Sequence, residues 1–289
     1  MSYKRLIAIF CFLLSLTGSI WAQDDNRNAK IATVFNNLTY TKGDGKASVG
    51  SVLGTIADVL VGGQVTQQHS NYQEAVRANI VKGLSQARRI VLQDGSGMSQ
   101  ATWYVDATVS NISTTTKMED YKDSKGKTYT RTYYKANVGV TLHVKNAQTN
   151  NIVSSPTFNI SDYDCSWIET REGAINSALS SLARKITNHF NRTLPLQANI
   201  VEGAREKKDK QKEVYIDLGN TTKGICQGLH FGVYTTKTVA GKVAKKLVGK
   251  IKITEVQGED LSLCKVQSGG KEIKAAIDAG EPILVTSLD

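Results

Sequence analysis

Ala136-Asn-Val-Gly-Val-Thr-Leu-His-Val-Lys145 sets Ala136, Val138, Val140, Leu142 and Val144 against Asn137, Gly139, Thr141, His143 and Lys145. Such alternation marks a half-buried β-strand, because successive side chains leave a pleated strand on opposite sides. Trp103-Tyr-Val-Asp-Ala-Thr-Val-Ser110 repeats the pattern, and Ile152 to Ile160 supplies a further strand after an Asn/Gln/Thr turn region. Together they predict an antiparallel meander with one packed face and one wet or partner-facing face.

Upstream, Lys30 to Phe35 is a short apolar strand, and Tyr72 to Leu92 carries Tyr72, Val76, Ile80, Leu84, Ala87 and Val91 at helical spacing. Downstream, Thr170 is an N-cap with Glu172 in the first turn of a helix. Its stripe is Ile175, Leu179, Leu182, Ile186 and Phe190, and it stops before Pro195. Strand, helix, three strands and helix predict an α+β domain over residues 23–196, a mixed sheet with both helices packed on one side. The run Ala204 to Lys212 mixes charges of both signs and reads as a solvated linker over residues 197–212. Glu213–Leu218, Phe231–Thr236, Val248–Val256, Leu261–Val266 and Ile283–Thr286 are short strands between Gly-containing turns, leaving no room for a helix. They predict a small SH3-like β-barrel over residues 213–289.

Lys4 and Arg5 precede an apolar run from Leu6 to Leu16 and a small-residue stretch ending at Ala22. This is the pattern of a cleavable signal peptide, residues 1–22, and it falls short of the roughly 20 apolar residues of a membrane span. Gln23 stands where a lipoprotein would carry its acceptor cysteine, so the expected product is exported, unlipidated and periplasmic or secreted. The formal net charge is +10, much of it local, and export argues against nucleic acid as the partner. Cys165, Cys226 and Cys264 remain after the leader. Cys226 and Cys264 either form a disulfide, should their strands be neighbours, or serve as small core residues.

No spacing of His, Cys, Asp or Glu matches a metal or catalytic motif, and no cofactor is expected. Gly43-Asp-Gly-Lys-Ala-Ser48 lacks the glycine and the post-lysine hydroxyl of a phosphate loop. Val52, Ile56 and Leu60 have the spacing of a short helix. His69, His143, His189 and His230 are dispersed, and Asp162 and Asp164 read as loop residues.

Lys30-Ile-Ala-Thr-Val-Phe-Asn36, the segment ending in Arg88-Arg-Ile-Val-Leu92, and Tyr134 to Val153 form a series that resembles the CsgG family, the curli assembly/transport component, over roughly residues 30–194. The resemblance implies a periplasmic α/β sandwich. Members of that family are lipid-anchored and extend two hairpins per subunit into a transmembrane barrel, whose strands need about 9–11 residues of apolar alternation. This sequence departs on both counts. It lacks the acceptor cysteine, Ser113 to Arg131 carries charge on both alternating faces, and Ser161 to Thr170 is too short for a second hairpin. Val214 to Gly219, Gly224 to Tyr234, Gly249 to Val256 and Ala279 to Leu284 resemble the C-terminal domain of the flagellar assembly protein FlgT, which implies a scaffolding module.

The resemblances imply a non-catalytic cell-envelope accessory protein that scaffolds or assists assembly or secretion of surface structures through envelope-protein contacts, with a homo-oligomer as one arrangement. A regulator docking a penicillin-binding protein and an envelope hydrolase with a spatially assembled site are the alternatives. The expected partner-binding element is the hairpin, where Tyr121, Tyr129 and Tyr133 interleave with Lys122, Lys125, Lys127 and Arg131. Tyrosine among cations is interface chemistry.

Overall fold

The computed structural model describes residues 27–41, 65–93, 100–240 and 242–288. The expected signal peptide and the short helix around Val52 to Leu60 lie outside the described residues. The chain divides into two compact units, Ile31–Leu194 and Pro195–Asp289, the second joined by residues 27–30.

The first unit is β1 (Ile31–Tyr40), α1 (Val65–Gln86), β2 (Ile90–Gln93), β3 (Trp103–Lys122), β4 (Thr128–Asn146), β5 (Ile152–Ser154), β6 (Thr157–Ile160) and α2 (Arg171–Thr193). The sheet order is β2-β1-β3-β4-β5, with β6 also on β4. β1 is parallel to β2 and β3, whereas β3, β4, β5 and β6 form the antiparallel meander, so the sheet is mixed. Val105, Ala107, Val109, Val138, Val140, Leu142 and Val144 share one core with Val76, Ile80 and Leu84 of α1 and with Ile175, Leu179, Leu182, Ile186 and Phe190 of α2. The Thr170 hydroxyl oxygen accepts from Gly173 N at 3.2 Å, the N-cap that starts α2.

Two readings of this unit change. Ile90 to Leu92 does not end the helix but pairs with Ile31 to Thr33 as a parallel strand. The helix stops at Gln86, and Asn191 Oδ1 accepts from Arg88 N at 2.9 Å, a contact from α2 that helical spacing cannot reveal. The strand over Ile152 to Ile160 is broken into β5 and β6 around Pro156, which has no N–H for the ladder.

The second unit contains β7 (Gln197–Ala198), β8 (Ile200–Glu206), β9 (Gln211–Ile216), β10 (His230–Val239), β11 (Lys242–Val256), β12 (Ser262–Ser268), α3 (Gly270–Asp278) and β13 (Ile283–Ser287). Its sheet runs β7-β13-β10-β11-β12-β9-β8. β7 and β8, at opposite ends of that order, are separated only by Asn199, so one continuous segment serves both edges. Asn199 is pinned to Asp217 by its N–H at 2.6 Å and its side-chain amide at 3.0 Å. Arg27 donates to the same carboxylate at 3.0 Å, and Asn28 exchanges two hydrogen bonds with the Gln197 backbone.

The expected linker is therefore not a linker. Residues 200–206 and 211–216 form an antiparallel hairpin inside the second unit, turning through Lys208 and Asp209, both at positive φ. Its charges are solvated while Gln211, Val214 and Ile216 are buried. A helix also finds room. α3 buries Ile273 and Ala276 and starts at Gly269, whose φ of 74° and closeness to the Val248 carbonyl exclude a side chain. Cys226 and Cys264 are not bonded: Cys226 is exposed in the loop before β10, whereas Cys264 points into the core. Burial pushes the Cys264 thiol up to about 12.

Candidate functional site

The β3–β4 hairpin has two halves with different surroundings. From Trp103 to Ile112 and from Ala136 to Asn146 it belongs to the packed sheet; beyond that, Thr115 to Lys122 and Thr128 to Arg131 lose the core. A bulge between Val109 and Asn111 reverses the alternation on β3, so that Ile112 continues the buried face of Val105, Ala107 and Val109. Past the bulge, even-numbered residues follow the core side of the sheet and odd-numbered ones its open side. The outer arm is Ser113 to Asn137, because Ser113 is in register with Asn137 and Arg131 with Glu119. The expected span, Ser113 to Arg131, therefore ends six residues short of the arm's limit on β4.

The tip is built by Asp123, whose Oδ1 accepts from Lys125 N and Lys127 N, each at 2.9 Å, while Asp123 N donates to Lys127 O at 3.0 Å. Gly126 there has a φ of 77°, a turn conformation that glycine adopts without strain. This register brings Tyr121 opposite Tyr129, and their rings stack with centroids 5.4 Å apart. The Arg131 guanidinium lies over Tyr121 at 4.3 Å, and Lys127 Nζ over Tyr129 at 5.1 Å. Hydrogen bonds to Tyr121 and then Tyr133 push the Arg131 pKa up. Glu119, Asp120, Tyr121, Arg131 and Tyr133 line a shallow groove of about 430 Å³.

Of the expected residues, Tyr121, Tyr129, Arg131 and Tyr133 share the open side with Lys127 at its end. Lys122, in register with Thr128, falls on the other face, and Lys125 sits in the turn. That other face carries Thr114, Thr116, Thr128, Thr130 and Thr132 around Met118, which is 71% exposed. Two residues of the open side, Trp167 and Glu169, were missed. Trp167 receives Lys117 Nζ at 5.6 Å and Lys135 Nζ at 5.0 Å, and Glu169 pairs with Arg131 at 3.6 Å. They arrive because Ile168 bridges Tyr134 at the edge of β4, with hydrogen bonds of 2.7 and 3.0 Å. The available signal was the alternation in Cys165-Ser-Trp-Ile-Glu169. The expected second hairpin position, Ser161 to Thr170, holds a single 3-10 turn at Asp162–Asp164, whose Asp164 carboxylate pairs with Lys185 at 2.9 Å. Backbone and lysine hydrogen bonds hold Asp164 below the usual carboxylate range.

The open side of the inner sheet is a polar ladder. Asp106 pairs with Lys145 at 2.8 Å and accepts from Asn36 at 3.0 Å; His143 lies 3.3 Å from both the Thr108 and Ser155 hydroxyls. His189 meets Phe158 and Phe190 edge-on, and burial lowers its pKa. Among the described residues no group of three or more His, Cys, Asp or Glu could hold a metal ion, and no helix is long and apolar enough to cross a membrane.

No protein-family model matches the chain, and no curated protein matches its sequence. Similar solved structures include one described as a neuraminyllactose-binding hemagglutinin homolog of Helicobacter pylori, 10% identical with a TM-score of 0.33, covering 60% of this chain and 86% of that one. The PelC dodecamer of Paraburkholderia phytofirmans is 14% identical with a TM-score of 0.26, covering 58% and 89%. A hypothetical protein of Chlamydia trachomatis is 9% identical with a TM-score of 0.27, covering 57% and 96%.

Proposed function

We propose that this chain is an exported, non-catalytic accessory protein of a cell envelope, and that the open side of its β3–β4 hairpin is the surface by which it docks a protein partner. One observation carries the reading: the arm presents Tyr121, Tyr129 and Arg131 already stacked on one another. Tyrosine and arginine are the side chains that dominate binding energy at protein interfaces. Holding them in place before binding lowers the ordering cost of roughly 0.5–1.5 kcal/mol per immobilised side chain. Lys117, Glu119 and Arg131 on one face and Asp120 and Lys122 on the other oppose insertion of the arm into lipid, at about 2–4 kcal/mol for each cation at the midplane. The CsgG-like scaffold, the SH3-like, FlgT-like second module and assembly into a homo-oligomer belong to the same proposal.

The register defines the test. Replacing Met118 to Thr132 by Asn-Gly joins Lys117 to Tyr133, which already face each other, and leaves the Tyr134–Ile168 bridge intact. The shortened protein is expected to unfold as cooperatively as the full one and to lose its co-purifying envelope partner. A shortened protein that keeps its partners, or a wild type that raises conductance across a planar bilayer, refutes the reading. Export without lipidation predicts an intact mass that begins at Gln23 and carries no diacylglycerol.

A further inference from the structure

The second unit holds a surface the hairpin reading does not use. Leu218 to Thr254 contains seven lysines and no aspartate or glutamate. Folding sorts part of that charge onto one side. Ile251 and Ile253 on β11 are buried, so Lys250 and Lys252 leave on the outer side. Lys252 is in register with Lys265 on β12. Like charges directly opposite each other destabilise a strand pair. Neither lysine makes an ion pair among the described residues, and Glu213, next in register to Lys265, is engaged by Arg205 at 2.7 Å.

The bulge between Val233 and Tyr234 brings the pair Tyr234–Leu247 to the same outer side. Gly232 shows how Tyr234 is held: a Cβ at position 232 would stand 2.8 Å from the tyrosine ring, so the ring lies across the glycine. Leu247 is 48% exposed beside it, and Lys245, in register with Thr236, follows on the same side. One face across three strands therefore carries Lys245, Lys250, Lys252 and Lys265 around an exposed leucine and a flat tyrosine.

We propose that this face docks on an anionic phospholipid surface. Charge complementarity selects an anionic partner, and the apolar centre selects a bilayer over a soluble polyanion. Leucine and tyrosine suit the boundary between headgroups and acyl chains, while lysines reach outward to the phosphates. Each lysine close to such a surface strengthens binding about fivefold, equivalent to about 1 kcal/mol, and added salt screens it. The inference is independent of the hairpin contact.

The test is sedimentation of the full chain with vesicles of phosphatidylcholine alone or mixed with phosphatidylglycerol. Binding is expected only to the mixed vesicles and is expected to weaken with sodium chloride. Replacing Lys245, Lys250, Lys252 and Lys265 together by Gln should weaken it by more than a hundredfold. Replacing Lys122, Lys125 and Lys127 of the hairpin by Gln should change it less than tenfold. Leu247→Ser should weaken it severalfold at constant charge. Circular dichroism checks that each variant is folded. Equal binding to neutral vesicles, or a quadruple variant that binds as wild type does, overturns the proposal. So does tight binding to polyphosphate or to duplex DNA without vesicle binding, or displacement by inorganic phosphate at constant ionic strength.

Discussion

Gly83→Ala is the substitution whose effect reverses what helix propensity alone predicts. Alanine in a helix interior is favoured over glycine by about 1 kcal/mol. At position 83, however, a Cβ would stand 2.7 Å from the Ala183 carbonyl oxygen and 2.9 Å from Ile186 Cβ, where α1 crosses α2. One of those atoms is helix backbone and cannot turn aside. Overpacking of this kind costs roughly 1–3 kcal/mol. Separating the helices also strains the hydrogen bond from the Thr187 hydroxyl to Gly83 O, at 2.9 Å, which contributes about 1 kcal/mol. The net expectation is a loss of about 2 kcal/mol from the first unit, or a fall of about 1 M in urea midpoint at an m-value of about 2 kcal/mol/M. Trp103 and Trp167 both lie in Ile31–Leu194, and the only other tryptophan is Trp21 in the expected leader. Tryptophan fluorescence of a chain starting at Gln23 therefore follows this unit alone. An unchanged or raised midpoint would refute the close crossing.

Thr170→Ala removes the N-cap of α2 and should lower the same midpoint by the equivalent of about 1 kcal/mol. Asp123→Ala removes the acceptor of two turn N–H groups and should speed amide exchange around Gly126 without moving the global midpoint. Cys226 should react with a maleimide in the native protein, with Cys165 and Cys264 labelled only after unfolding. Burial raises the Cys264 pKa from 9.0 to about 12, so the folded state holds that proton longer than the unfolded chain. Its contribution to stability is full below pH 9 and is lost as pH rises toward 12. Cys264→Val should remove that part of the alkaline destabilisation of the second unit, and an identical alkaline profile would contradict the assignment.

The residues that announced themselves are those whose partners are local or whose pattern is long. α2 was legible because Thr170, Glu172 and a five-residue stripe agree, and the inner halves of β3 and β4 because Trp103 to Ser110 and Ala136 to Lys145 each alternate without a break. The rest failed where a distant contact or a one-residue irregularity decides. The Val109–Asn111 bulge moves every later residue of β3 to the opposite face, so which tyrosines meet could not be read from spacing. β2 resembled a helix end because its terminator, Asn191, lies a hundred residues away in sequence. The 200–216 hairpin looked like a linker because its charged side chains face water on both strands and only Gln211, Val214 and Ile216 are buried. α3 was hidden behind Gly269-Gly270, which reads as a turn, although Ile273, Ala276 and Ile277 have helical spacing.

The central claim, that the open side of the hairpin is the docking surface, is tested most directly by site-specific photocrosslinking in cells. A photoreactive residue would be placed in turn at Tyr129, on the open side, at Thr130, on the threonine face of the same strand, and at Thr141, on the open side of the inner sheet. The account predicts an adduct with one envelope protein from Tyr129 and none from Thr130 or Thr141. Adducts from Thr141 or Thr130 with none from Tyr129 would contradict it.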